Sequence, residues 1–182
     1  MALSGLWLML PSLLPNSAAV VFGGGAPMDF GRSWRGKRIL GDGKTWSGFV
    51  GGVSAGVSLG IILLFISYPF DPVDFWGFGG YPESVGIILV LALGSLLGDI
   101  CGSFVKRRLG MEGGAKAPIL DQYNFVIGSV VLALLFYPGW FMDSFVEGIH
   151  ILALVVYLVA VPLLHRLVNI IGYKIGKKDV PW

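Results

Sequence analysis

The 182-residue chain is 55% hydrophobic and only 13% charged, with 13 Lys+Arg against 11 Asp+Glu. A charged share about half that of an ordinary soluble domain cannot coat a globule of this size, so a soluble fold is excluded. The lone Cys101 rules out a disulfide framework or a cysteine zinc cluster; the net charge of +2 says little in itself, and no nucleic-acid partner is expected.

Met1 to Met28 carries no Asp, Glu, Lys or Arg. A helix crosses the hydrocarbon core with about 17–25 apolar residues, so the first membrane span is predicted over 2–25. It lacks the basic n-region of a cleaved signal and is read as a retained span. Pro11 and Pro15 predict a kink or break midway, with the polar Asn16 beside it lining a cavity within the protein. A loop over 26–45 follows, rich in glycine and holding Arg32, Arg35, Lys37, Arg38 and Lys44. Its tail, Gly41-Asp42-Gly43-Lys44-Thr45, has P-loop ingredients, but Arg38 stands where that pattern needs its first glycine, and the segment enters a membrane span. The Walker reading is therefore rejected. What survives is an anion-favouring corner of glycine amides and Lys44 at a helix N-terminus, with Thr45 as N-cap.

The second span, over 46–67, aligns Gly48, Gly52, Gly56 and Gly60 on one stripe for close helix packing. A connection rich in aromatic residues (Tyr68, Phe70, Phe75, Trp76, Phe78, Tyr81) suits an interfacial belt. The third span, over 84–105, repeats the device with Gly94, Gly98 and Gly102 and holds one ionisable residue, Asp99. The loop 106–121 opens on Lys106-Arg107-Arg108, includes Lys116 and closes on Asp121. A fourth span over 122–142 and a fifth over 148–170, whose charge-free stretch (148–164) is the shortest of the five, complete the chain. The glycine stripes serve packing within one chain or between two copies in a homodimer.

All 13 basic residues fall in the two loops or beyond the charge-free stretch of the fifth span, from Arg166 on, whereas the other two connections hold only Asp71, Asp74, Glu83, Asp143 and Glu147. By the positive-inside rule the N-terminus is outside and the C-terminus cytoplasmic. The fold class is thus all-α: one polytopic membrane domain of five transmembrane helices in the cell membrane, with both basic loops facing the cytoplasm.

A carboxylate inside a span faces the bundle interior, a cavity, a cation or a partner. Asp99 lies about 10 Å inward of Lys106 along the helix, and Ser95, Asp99, Ser103 and Lys106 share one face. An internal salt bridge with a lysine or arginine is the plain account of Asp99. The functional account is phosphate chemistry: Asp99 and Asp121 offer hard oxygens for one or two Mg²⁺ ions, and the basic cluster neutralises phosphate charge. His150 and His165 sit near opposite faces and form no metal pair.

The run from Asn16 through Phe22-Gly23-Gly24-Gly25, Pro27, Asp29-Phe30-Gly31-Arg32 and Trp34 to Arg38-Ile39-Leu40-Gly41-Asp42-Gly43-Lys44-Thr45-Trp46 closely resembles the archaeal CDP-archaeol synthases. So does Gly98-Asp99, Ser103-Phe104, Lys106-Arg107-Arg108-Leu109-Gly110, then Asp121-Gln122 and Phe125. The likeness covers nearly the whole chain. It implies transfer of CMP from CTP, with Mg²⁺, onto the phosphate of a digeranylgeranylglycerol ether lipid, releasing pyrophosphate. Asp99 and Asp121 would then hold the metal. Lys106, Arg107, Lys44, Thr45, Ser103 and the Gly41-Asp42-Gly43 turn would meet phosphates, with Asn16, Arg32 and Arg38 as further substrate contacts.

The second motif also resembles the phosphatidate cytidylyltransferases, whose later acidic element is Asp-Arg-x-Asp. Here Gln122 follows Asp121, and Asn124 stands where the second acid belongs. Two rivals remain at this stage. One is a small transporter or channel using Asp99 as a proton or cation site. The other is a non-catalytic scaffold contacting anionic membrane lipids.

Overall fold

The computed structural model describes residues 2–69, 76–112, 115 and 117–176. Phe70, Asp71, Asp74, Phe75, Lys116, Lys177 and Lys178 lie outside the described residues. Within them run α1 (Ala2–Phe22), a small hairpin of β1 (Ser33–Trp34) and β2 (Lys37–Arg38), α2 (Trp46–Ser67), α3 (Glu83–Arg108), α4 (Pro118–Phe136), α5 (Pro138–Phe145) and α6 (Ile151–Lys174). All the helices but α5 are long and apolar enough to cross a membrane. The central one is α3, which packs against α1, α2 and α4, while α6 closes on α1.

Both glycine stripes are buried at helix contacts. A Cβ on Gly52 would stand 2.7 Å from the Pro15 carbonyl oxygen, and one on Gly56 2.7 Å from that of Pro11. Of the expected kink or break at the two prolines, the break does not occur. Helix α1 is continuous through both and is not broken. Pro15 has no N–H for the Pro11 carbonyl, which turns outward against the bare backbone of Gly56. On the other side of α3, a Cβ on Gly94 would lie 2.6 Å from Ser129 Cα, and Ser129 donates to the Leu91 carbonyl at 3.0 Å. An intramembrane hydrogen bond of this kind contributes about 0.6 kcal/mol, so backbone contact repeated along two stripes is the larger packing factor.

Two spans differ from expectation. The fourth ends at Phe136, short of residue 142, because Pro138 cannot donate to a carbonyl one turn back; the chain restarts as α5. Its Phe141 and Phe145 are buried beside Trp140, which stacks on Phe78 with ring centroids 6.3 Å apart. The fifth span, expected to be the shortest, runs 27 residues from Gly148 to Lys174, and the fourth, at 19, is the shortest. Arg166 and Lys174 extend it, since charged residues near a helix end do not stop a helix.

Between α1 and α2 the chain folds back on itself. Met28 N–H donates to the Lys44 carbonyl at 2.7 Å and Trp46 N–H to that of Ala26 at 3.2 Å. Arg108, in the last turn of α3, donates to the carbonyls of Trp34 (2.6 Å), Lys37 (3.1 Å) and Arg38 (2.7 Å). The first loop is thereby fastened over the end of α3.

Candidate active site

Thr45 caps α2 as expected, its Oγ1 accepting from Gly48 N–H at 3.2 Å and from Gly24 N–H at 3.3 Å. Ser47 Oγ adds a bond to the Gly24 carbonyl at 2.5 Å. With both ends of the loop pinned, the preceding residue, Lys44, reaches α3 and pairs its Nζ with Oδ2 of Asp99. The other Asp99 oxygen accepts from Asn124 Nδ2 of α4 at 3.4 Å. The plain reading of Asp99, an internal ion pair, is thus met, yet both partners remain about a quarter exposed.

The pair opens onto a cavity of about 60 Å³ lined by Asn16, Gly43, Lys44, Thr45, Gly48 and Asp99. Asn16 donates to Ser95 Oγ at 3.3 Å, while its Oδ1 is buried with no hydrogen-bond partner among the described residues. An orphaned carbonyl-type oxygen and a carboxylate in one cavity are hard donors of the kind Mg²⁺ prefers. This donor set fits that ion.

Lys106 is held by Asp121 at 2.8 Å, and the second Asp121 oxygen accepts from Ala117 N–H at 3.0 Å, capping α4. Asp99 and Asp121, expected to share a site, are engaged separately. Each carboxylate is engaged by a different lysine, and the described residues contain no group of three or more His, Cys, Asp or Glu able to hold a metal. Ser103 is half-buried on α3 between Asp99 and Lys106, and Arg32 is exposed.

Arg107 and Arg38, expected at phosphates, both have internal partners. Arg107 Nε donates to the Leu40 carbonyl at 3.2 Å and its Nη1 to that of Met111, tying the two loops together. Arg38 bridges Asp29 (2.9 Å) and Asp42 (2.7 Å). Both arginines line a second pocket of about 310 Å³, together with Lys37, Gly41, Asp42 and Glu112. Gly41 and Asp42 thus face this pocket, whereas Gly43 and Lys44 of the same turn face the Asp99 cavity.

Asp29 was missed as a site residue. Its buried carboxylate also accepts from the amides of Leu40 (3.0 Å), Gly41 (3.1 Å) and Gly31 (3.1 Å). Burial alone would raise its pKa, but Arg38 and the three amides outweigh that and hold it well below the usual carboxylate range. Asn124 and Arg108 were missed too. The signal for Asn124 was its place in the acidic element; nothing local marked Arg108 as the clamp of the hairpin.

The sequence model of one family, described as CarS-like: CDP-archaeol synthase, matches residues 1–182. The chain is 47% identical over 179 residues to a CDP-archaeol synthase of Methanospirillum hungatei, covering 96% of this chain and 100% of that one. It is 48% identical to one from Methanosphaerula palustris, with the same coverage, and 40% identical to one from Archaeoglobus fulgidus, with 99% and 97% covered. A solved structure described as an intramembrane enzyme for archaeal membrane lipids biosynthesis superposes with a TM-score of 0.69 at 35% identity, covering 93% of this chain and 95% of that one. With the five long apolar helices, that likeness makes this chain a multi-pass membrane protein.

Proposed function

The chain belongs to the CDP-archaeol synthase family, and from that premise we propose how its two loops carry the reaction. It is a CTP-dependent cytidylyltransferase acting on a lipid phosphate. CMP passes from CTP to the phosphate of 2,3-bis-O-(geranylgeranyl)-sn-glycerol 1-phosphate, giving CDP-archaeol and pyrophosphate. An oxygen of the lipid phosphate attacks the α-phosphorus of CTP, a new P–O–P bond forms, and the α–β bond breaks. The nucleophile is already ionised, so positioning and charge neutralisation are what the protein must supply.

One observation carries the assignment of residues: Lys44 of the first loop and Asp99 of α3, from the two sequence motifs, meet at one cavity. Asp99 and the orphaned Asn16 Oδ1 are the oxygens that would hold Mg²⁺. Bound there, such an ion would supply neutralisation of the charge that develops on the leaving pyrophosphate. Lys44 is placed to neutralise a phosphate oxygen of CTP, with Thr45 and the Gly43 amide beside it. Lys106, oriented by Asp121 on the same α3 face as Asp99 and Ser103, neutralises a second phosphate. The pocket beside Arg38, Gly41, Asp42 and Arg107 takes the remainder of the nucleotide, with Arg32 at its approach.

Asp121 serves this arrangement by holding Lys106 rather than by sharing an ion with Asp99. The concentration of Lys and Arg in two loops and the C-terminal segment supports a cytoplasmic site in the cell membrane, with the N-terminus outside. The isoprenoid tails lie among the spans. Asp99→Asn is expected to reduce Mg²⁺-dependent pyrophosphate release from CTP and lipid phosphate by about 10²-fold or more, with the protein still folded. Near-normal turnover would sink the assignment.

A further inference from the structure

The hairpin carried by the first loop has a feature that the transfer reaction does not use. Two consecutive tight turns, Asp29–Arg32 and Trp34–Lys37, each have both central residues at positive φ: Phe30 at 50° and Gly31 at 76°, then Arg35 at 52° and Gly36 at 75°. Arg32 N–H closes the first onto the Asp29 carbonyl at 2.8 Å, and β1 and β2 flank the second. In such turns the first central position is filled best by Asn, Asp or Gly, and a bulky side chain there is strained. Phe and Arg occupy it here at the expense of backbone strain. Their side chains do not repay that strain by packing inward, since Phe30 is 64% exposed and Arg35 is also exposed.

Both turns therefore present outward side chains, and the hairpin's depth is fixed. Trp34 stacks on Phe104 with ring centroids 6.0 Å apart, and the Arg108 guanidinium lies 5.1 Å from the Trp34 ring centroid while bonding three hairpin carbonyls. Phe104 sits just before the basic end of α3. That helix, at 26 residues, spans about 39 Å, longer than the hydrocarbon core of about 30 Å. Trp34, itself half exposed with Arg35 5.3 Å from its ring, thus stands at head-group level. Aromatic rings beside cations at that depth complement an anionic lipid surface.

We propose that the Phe30–Arg35 hairpin is a docking element for the head groups of anionic phospholipids in the leaflet that borders the active site. It sits directly on the loop that bears Lys44, so the bulk lipid composition of the leaflet bears on the loop that the site is built from.

The test uses the full chain in vesicles of phosphatidylcholine doped with phosphatidylglycerol, without CTP, so its outcome does not depend on the transfer reaction. The Trp34 component of fluorescence is isolated by difference from Trp34→Phe, and quenching by brominated phosphatidylglycerol is compared with quenching by brominated phosphatidylcholine. Stronger quenching by the anionic lipid is expected, and Arg35→Asn is expected to lower that preference about fivefold, the effect of one basic residue at an anionic surface. Asn suits the positive φ, so the hairpin fold is kept or improved, which an unchanged melting temperature checks. Equal quenching by the two lipids, or a preference that survives Arg35→Asn, overturns the proposal.

Discussion

Asn124 donates its side-chain amide to Oδ1 of Asp99 at 3.4 Å, across the close contact between α3 and α4. A Cβ on Gly102 would lie 2.9 Å from the Asn124 Cβ, so the amide is held in place by the absence of side chains opposite it. The position where phosphatidate cytidylyltransferases carry a second acid therefore does touch the candidate metal-binding carboxylate. Here it offers a neutral partner in place of a second charge.

Asn124→Asp converts that contact into two adjacent carboxylates, which repel each other in the absence of a cation. A divalent ion relieves the repulsion. The variant is expected to bind Mg²⁺ about tenfold more tightly in the absence of CTP, equivalent to about 1.4 kcal/mol, as read by calorimetric titration. Unchanged affinity would separate Asn124 from the metal site.

Lys44 and Asp99 neutralise each other, so a metal ion approaching Asp99 competes with an ammonium already there. Lys44→Met removes the competitor and the phosphate contact together. Metal binding without CTP is expected to tighten, while kcat/KM for CTP falls by about 10²–10³-fold. Steady-state pyrophosphate release and metal titration on the same preparation test the two halves. If both weaken together, the lysine is only a structural tie.

The spans were legible because lipid imposes one strong rule, long apolar helical stretches with almost no charge, and Thr45 to Phe70, with none, or Ser84 to Val105, with Asp99 alone, satisfy it. The glycine stripes were legible for the same kind of reason, a fixed helical period. Pro138 was a visible stop signal, but an apolar run through Met142 masked it. At the site, Lys44, Asp99 and Asn16 were singled out by residue type and do share a cavity. Their pairing was not readable, because which lysine meets which carboxylate depends on how the first loop folds back over α3. Arg107 and Arg38 show the limit most clearly: residue type marked them for phosphates, and nothing in the sequence showed that one is also tied to carbonyls and the other to carboxylates.

Asp29 organises the first loop by accepting from Arg38 and three backbone amides. In Asp29→Asn the NH₂ group of the new side chain faces donors, leaving at least one of them unpaired at about 1–3 kcal/mol. Trypsin cleavage in the loop is expected to accelerate, and turnover to drop, while the spans keep their helicity by circular dichroism. The pH dependence follows from the depressed pKa of Asp29. Its stabilisation is complete above the ordinary carboxylate value of 3.8 and is lost only as pH falls below it toward the folded-state value. Loop protection in the parent chain should thus stay constant between about pH 5 and 8 as far as Asp29 sets it.

The stripe on α2 makes a sharper prediction, because the neighbours of Gly56 have nowhere to go. A Cβ there would meet the Pro11 carbonyl oxygen at 2.7 Å, the Pro15 ring at 2.7 Å and the Ala92 Cβ at 2.9 Å. None of these is the far end of a flexible side chain, so α1 and α2 would have to separate. Gly139, near the start of α5, has nothing within 4 Å of its Cβ position. Helix propensity alone would favour Ala at both sites by about 1 kcal/mol. Overpacking at Gly56 reverses that sign, costing about 1–3 kcal/mol. Gly56→Ala should lower the thermal midpoint in detergent and Gly139→Ala should leave it unchanged or slightly raised. Because Gly56 lies two helical turns from Gly48 at the mouth of the Asp99 cavity, the same separation would loosen the contact that seats Lys44. Turnover is therefore expected to fall with stability, and a Gly56→Ala protein that melts normally would show that the close contact of α1 and α2 is dispensable.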